Sequence, residues 1–382
     1  MMGGDWMEET RAWGRYQKGI EYKNKINLLS TIDKNERFYS GNQWQGVKAN
    51  GLPTPILNVT KRIIGYKISA VMSDMISMQF SADGVGDNDL QGKAYREIAQ
   101  LLSEYSKTMW ENLKVDSMNE DGLLDAALSG DMVSHWYWDE RANDMTGELI
   151  DNCNLMLGDP NTPEINDAYG PVQPYILLAF RRQVSDIRRE ARENGVSEQD
   201  IQLITADSET ENQPGDRSKV ELEDDDGKCI VLLEYTKELR VPEVNWRIMA
   251  EKSTRSVVIR PKWDTGLHRY PVALMNWDKR KGSAHGEAEA TSIIPNQIMI
   301  NRQAAMLALW IQLHGFPKVL YDITRIGNWT NDMSKAIPVK GVDSGGVGGA
   351  AMYMQPAQIS SAVMDLMKWF IDVTKEMAGA SD

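Results

Sequence analysis

Two stretches decide how this chain is read: PNQIMINRQAAMLALWIQL at residues 295–313 and AQISSAVMDLMKWFIDVTKEMA at residues 357–378. Each is close to 20 residues long and would run about 30 Å as a helix. In the second, Ile359, Val363, Leu366, Met367, Phe370, Ile371 and Met377 share one stripe, while Asp365, Lys368, Asp372 and Lys375 lie opposite. That is the pattern of an amphipathic helix. The first differs in its C-terminal half, where Ala304 to Ile311 is apolar all the way round. Such a helix needs cover on every side, either from the chain's own core or from copies of the chain in an assembly. Arg302 and His314 bound the run, which leaves it short of the roughly 20 apolar residues that span a bilayer. Between the two helices, Phe316 to Pro356 holds β-like runs (Phe316 to Tyr321 and Met352 to Met354) and a glycine cluster, Gly345 to Gly349. Two helices of matched length around a compact insert predict an antiparallel hairpin with a small domain at its tip.

Outward from the hairpin, the rest of the chain mixes helical and strand periodicity, which predicts an α+β fold. Residues 5–36 and 59–75 read as helices, and 90–130 as two more, the second closing at Gly130. Ile76 to Ala82 alternates like a strand. Met132 to Asp139, a turn near Asn143 and Glu148 to Met156 read as a hairpin. Tyr175 to Ala179 is a strand and Gln183 to Asn194 a helix. Three β-segments follow at 229–237, 244–252 and 256–261, and Tyr270 to Trp277 leads into the helical hairpin. Residues 206–227 turn polar and acidic, ending in Glu221 to Gly227, and read as an exposed, mobile loop rather than a metal cage.

A chain of 382 residues, 42% hydrophobic and 25% charged, is long enough for two or three domains with cores of their own. The opening residues pass straight into a charged helix-like segment, so no signal peptide is expected, and no transmembrane segment or membrane partner either. Cys153 and Cys229 lack metal spacing and fit a reducing compartment. The four histidines, at 135, 268, 285 and 314, show no ligand pattern, so no zinc site is expected. Phosphate-binding loops and a nucleophile elbow are absent. His285 beside Gly286-Glu287, and His135 near Asp131 and Asp139, read as packing or surface histidines rather than acid–base pairs. No catalytic, metal or cofactor constellation is expected. A net charge of −13 argues against gripping nucleic acid through its phosphates, yet an acidic lumen would let DNA slide past.

Phe38-Tyr39-Ser40-Gly41-Asn42-Gln43-Trp44 opens a series of short signatures. It continues through Pro55-Ile56-Leu57-Asn58, Met78-Gln79-Phe80, Gly130 to Asp139, and Gly158-Asp159-Pro160. Then come Tyr270 to Trp277, Gly286, Pro295-Asn296-Gln297, Ile300-Asn301, Pro317-Lys318, and Met377 to Asp382. In order and spacing these resemble the portal proteins of tailed bacteriophages, the head-to-tail connectors. The resemblance implies a wing at 1–285 and a descending stem helix at 286–315. It implies a small α/β clip at 316–356 and an ascending stem helix at 357–382. In the family a tunnel loop, a tunnel helix and often a crown follow the Gly-x-Ser-Asp segment, beyond the last residue read here.

The family function implied is a homo-oligomeric ring, expected to be a dodecamer, at one capsid vertex of the virion, assembled in the host cytoplasm. Such a ring conducts double-stranded DNA without sequence-specific binding. It contacts major capsid and scaffolding proteins, docks the terminase large subunit, then holds the head-completion adaptor and tail proteins. It is not an enzyme and takes no cofactor. Lys318, Arg325, Trp329, Lys335 and Lys340 of the clip become candidates for the terminase and adaptor surface, or for clip contacts between subunits. Asp365, Lys368, Asp372 and Lys375 become candidates for the channel lining, or for intrahelical pairs. Ala304, Leu307, Ala308, Trp310 and Ile311 become the stem packing between subunits. Two readings from other classes stay open: a monomeric head–tail adaptor, and a metal-dependent nuclease working through Asp224, Asp225 and Asp226.

Overall fold

The computed structural model describes residues 9–74, 76, 78–82, 90–139, 142–207, 227–240, 245–314, 319–330, 336–341, 349–353 and 361–380. At 44% helix and 23% strand, the protein is the mixture of helix and sheet that the two periodicities predict. It divides into two compact units, Met1–Ser40 with Thr60–Ile294, and Gly41–Val59 with Pro295–Asp382.

The first unit opens with α1 (Arg11–Lys25) and α2 (Leu28–Ser40). Where the sequence reads as one helical segment, Asn27 adopts a positive φ of 56° and breaks it in two; asparagine is among the few residues that tolerate this conformation. Thr10 caps α1 by accepting a hydrogen bond from the Trp13 amide at 3.3 Å, satisfying one of the free N–H groups of the first turn. Three further helices follow, α3 (Val59–Val71), α4 (Leu90–Asn112) and α5 (Val115–Ser129), the last ending at Gly130 with φ 96°. The strand expected at 76–82 does not form among the described residues. The Phe80 amide donates to Ser103 Oγ at 2.9 Å, so the segment's backbone is tied to α4 instead of to a neighbouring strand.

A hairpin follows, β1 (Asp131–Asp139) and β2 (Asp144–Leu149), turning at Asn143 with φ 51°. Its second strand lies earlier and is shorter than the expected Glu148 to Met156. Asn152 turns inward and is buried within a 3-10 turn at Asn152–Asn154, and the chain leaves for another sheet as β3 (Leu155–Leu157). A small pair, β4 (Asn166–Asp167) and β5 (Gly170–Pro171), precedes β6 (Tyr175–Gln183), α6 (Val184–Glu193) and α7 (Glu198–Gln202). Then come β7 (Lys228–Arg240), β8 (Asn245–Ser253), β9 (Val258–Asp264) and β10 (Val272–Asn276). The acidic run expected to be mobile lies mostly outside the described residues.

Antiparallel pairing gives a five-stranded sheet, β3-β6-β7-β8-β9, and a three-stranded one, β10-β1-β2. Along β6, Ile176 and Leu178 enter a core with Val133, Tyr235, Ile248 and Val272. Leu177 and Ala179 enter a second core with Trp13 and Tyr16 of α1. Both faces of the sheet are therefore covered, which is why β6 and β7 read as continuous apolar runs rather than alternating ones.

The next helix, α8 (Glu289–His314), begins at Glu289 rather than at Pro295 and carries Pro295 inside it. Glu289 is buried, accepts from Trp277 Nε1 at 2.8 Å and pairs with Lys67 at 2.8 Å. A carboxylate in the first turn suits the positive end of the helix dipole. In the second unit, β11 (Val319–Tyr321) pairs antiparallel with β12 (Ala351–Tyr353), placing Leu320 opposite Met352. Last comes α9 (Ser361–Met377). The glycine cluster lies outside the described residues except for Gly349.

Candidate functional site

The second unit is built on a ladder of buried amides. Gln297, Asn301 and Gln43 are all buried. Gln297 Nε2 donates to the Leu57 carbonyl at 2.7 Å and to Asn301 Oδ1 at 3.0 Å, and Gln297 Oε1 accepts from the Val59 amide at 2.9 Å. Asn301 Nδ2 in turn donates to Gln43 Oε1 at 2.6 Å. Trp44 Nε1 closes the segment on itself by donating to the Pro55 carbonyl at 3.0 Å. The strap 41–59 is thus hydrogen-bonded along one face of α8. Sequence reading singled out these signatures separately and missed that they meet. The available signal was two amides one helical turn apart, Gln297 and Asn301, with apolar Ile298, Met299 and Ile300 between them.

Beyond the ladder, α8 emerges bare. Ala304 is buried and Leu307, Ala308 and Trp310 are half-buried, but Met306 and Ile311 are 59% and 53% exposed. The chain's own core does not supply the cover that an all-round apolar helix needs. On α9, Leu366, Trp369 and Met377 are 46%, 53% and 77% exposed. The apolar stripe of α9 is thus open at Leu366 and Met377 and half-buried at Val363, Met367, Phe370 and Ile371, with Trp369 exposed beside it. On the same helix Asp365, Lys368 and Asp372 are exposed and Lys375 is half-buried. Among the described residues none of the four forms an ion pair within 4.0 Å, so the intrahelical pairing weighed for them is not made.

Between the helices, Tyr321 and Trp329 stack with centroids 5.8 Å apart. Asp322 accepts from Thr324 Oγ1 at 2.5 Å and from its amide at 2.9 Å, and these bonds hold its carboxyl below the ordinary value. Arg325 lies 3.6 Å from the same carboxylate, and its carbonyl accepts from the Lys340 amide at 2.9 Å. Arg325, Trp329 and Lys340 are thus tied to one short structure around the buried Ile326. Lys318 and Lys335 lie outside the described residues.

The first unit holds a buried polar knot at Asp131, whose side chain has no exposure. Its Oδ1 accepts from Asn276 Nδ2 at 2.7 Å and from the Gly286 amide at 2.8 Å; its Oδ2 accepts from Asn152 Nδ2 and from His285 Nδ1, both at 2.8 Å. Gly130 and Gly286 touch backbone to backbone, and a Cβ on either would meet the other's carbonyl oxygen at 2.7 Å. Lys23 is buried beside this knot, donating to the carbonyls of Asn152 and, at 2.6 Å, Leu155. Burial lowers its pKa to about 8, while the nearby Cys153 and Asp131 partly oppose that shift.

The sequence placed His135 near Asp131. Instead His285 takes that carboxylate, and His135 sits between Glu148, at 3.2 Å, and the Tyr235 hydroxyl, at 2.8 Å. Both histidines are buried; His135 links β1 to β2 and β7, and His285 ties its turn to β1. Burial also pushes the Cys229 thiol up to about 12, which makes it a poor nucleophile. Among the described residues, no group of three or more His, Cys, Asp or Glu side chains is arranged to hold a metal ion, and Asp224, Asp225 and Asp226 lie outside them. No described helix is long and apolar enough to cross a membrane. No family model matches the sequence, and no curated protein matches it significantly.

Proposed function

We propose that this chain is a portal subunit, one of about a dozen copies forming a closed ring at one capsid vertex of a tailed phage. The observation that carries the reading is the bare apolar surface of α8 beyond Gln303 and of α9, exposed at Met306, Ile311, Trp369 and Met377. Exposed faces of this kind mark association sites. A head-to-tail contact that closes would cover two sides of each helix at once, which suits a helix that is apolar all round. The order of the signature stretches along the sequence supports the same reading, as does a short antiparallel strand pair between the two helices.

On this reading α8 and α9 are the stem and the β11–β12 region is the clip. Arg325, Trp329 and Lys340, with Lys318 and Lys335, face the terminase large subunit and later the head-completion adaptor. Asp365, Lys368, Asp372 and Lys375 line the channel through which double-stranded DNA enters and leaves. Major capsid, scaffolding and tail proteins are the remaining partners. The chain performs no chemistry itself, and the motor's ATPase belongs to terminase. The test is native mass spectrometry of the purified chain together with negative-stain images. Annular particles of about a dozen copies are expected for a closed cyclic assembly. A monomer at micromolar concentration sinks the ring for this chain.

A further inference from the structure

The first unit carries a surface that the ring reading does not use. On α1, Arg11, Arg15, Lys18, Tyr22 and Lys25 recur at alternating spacings of four and three, which places them on one stripe of the helix. Arg15 pairs with Glu234 and lies 4.0 Å from the Tyr175 ring centroid. Arg11, Lys18 and Lys25 are exposed, and among the described residues none has a carboxylate within 4.0 Å. Tyr22 stacks on His285 with ring centroids 6.4 Å apart, which brings this stripe beside the turn preceding His285.

That turn holds Lys279, Arg280 and Lys281 in succession, all exposed and, among the described residues, without an acidic partner. Its base is held firmly. Asp278 and Glu287 exchange backbone hydrogen bonds of 3.3 and 2.8 Å, the Ala284 amide donates to the Pro160 carbonyl at 2.8 Å, and His285 is fixed to Asp131. Elsewhere in this unit some exposed cations are matched, Arg189 with Asp186, Arg192 with Glu198 and Arg255 with Glu9. Lys34, Arg62, Lys107 and Arg240 stand singly, among the described residues without a carboxylate within 4.0 Å. What sets the α1 stripe and the turn apart is that their cations are clustered. Like charges at helical-neighbour spacing disfavour a helix on its own. Arg15 is relieved by Glu234, and Glu21 lies three residues after Lys18 and four before Lys25 without pairing with either within 4.0 Å. Glu21, Asp278 and Glu287, all exposed, are the acidic residues beside the stripe and the turn, and Glu9 ahead of Arg11 is taken by Arg255.

We infer that Arg11, Lys18 and Lys25 of α1 and the Lys279–Lys281 turn form one face that binds the phosphodiester backbone of duplex DNA without reading its sequence. The net charge of −13 does not cancel this face, because salt screens charges beyond about 8 Å at physiological strength. The choice of DNA over another polyanion rests on the ring reading, in which duplex DNA is what the assembly handles.

The test measures binding of the full chain to a fluorescein-labelled, mixed-sequence duplex by anisotropy, across about 50 to 200 mM salt. It compares the wild type with the variant Lys18→Gln/Lys25→Gln/Lys279→Gln/Arg280→Gln/Lys281→Gln. Each phosphate contact adds about 0.9 to the slope of log affinity against log salt. The variant is expected to bind about 100-fold more weakly at low salt and to lose about 4 from that slope. The turn-only triple variant should lose about half as much, and guards against a folding defect in α1. An unchanged slope, or no binding by the wild type, overturns the inference. So does poly-glutamate competing as well as DNA, which would reassign the face to an acidic polypeptide. Native masses recorded on the same samples keep the two readings apart: a monomer that binds DNA with this slope defeats only the ring, and a ring that does not bind defeats only this face.

Discussion

A lysine without exposure is a stored cost, and Lys23 shows how its sign can be tested. Its pKa falls from 10.5 to about 8, chiefly by burial. Between those values the unfolded chain binds more protons than the folded one, so this residue makes stability rise with pH across the window from about 8 to 10.5. Below about pH 8 both states are protonated and the full penalty stands. Cys229 acts oppositely, since its raised pKa, about 12 against 9.0, makes stability fall above about pH 9. The informative quantity is therefore the difference between wild type and Lys23→Met. We expect that difference in urea-unfolding free energy to move in favour of wild type by roughly 3 kcal/mol between pH 7.5 and 10.5. A flat difference would mean that Lys23 reaches water. No sequence pattern announces this residue: its position on the inner stripe of α1 with Tyr16 and Ile20 is legible, but the carbonyls of Asn152 and Leu155 that receive its ammonium come from a turn whose path cannot be read from the sequence.

Elements were legible where one periodicity ran unopposed. The α5–Gly130 stop, the β6 to β9 meander and α9 all fall within a few residues of their expected places. Failures occurred where side chains replaced backbone partners. Ser103 and Ser106 take the backbone of 78–80 that a neighbouring strand would have taken, and Asn152 diverts the end of the first hairpin into Asp131. The strap on α8 is the same phenomenon: Gln297 satisfies both Leu57 and Val59. Substituting Gln297→Ala leaves the buried Asn301 Oδ1 without its donor, at about 1–3 kcal/mol. It also leaves the Leu57 carbonyl and the Val59 amide only the 2.8 Å bond they make with each other. Amide hydrogen exchange at Val59 should then speed up by at least tenfold while amides in β6 and β7 stay protected. Equal protection at Val59 in both proteins would show that the strap is held by something other than this amide. Neither effect is visible in local pattern, because the partners are separated by more than 230 positions.

At the scale of the whole molecule, what distinguishes the chain is apolar surface left over after folding. Leu366 and Trp369 are about half exposed, so replacing them costs the protomer little, within about 0.5 kcal/mol for a surface site. In a ring the same positions lie in a seam between copies, where a buried unpaired ammonium costs several kcal/mol. Repetition around the ring multiplies that penalty, so even a modest cost per seam is enough to prevent closure. The double variant Leu366→Lys/Trp369→Lys should accordingly keep the protomer's circular dichroism and melting temperature while its native mass drops from ring to single chain. The paired Asp372→Asn/Lys375→Gln variant, altered only on the polar face of α9, should leave the ring intact. If both variants close as readily as wild type, the exposed Leu366–Trp369 face of α9 is not the subunit seam, and α8 alone must carry the contact. If both fail, closure depends on the charge of the polar face, and the assignment of that face to the channel falls.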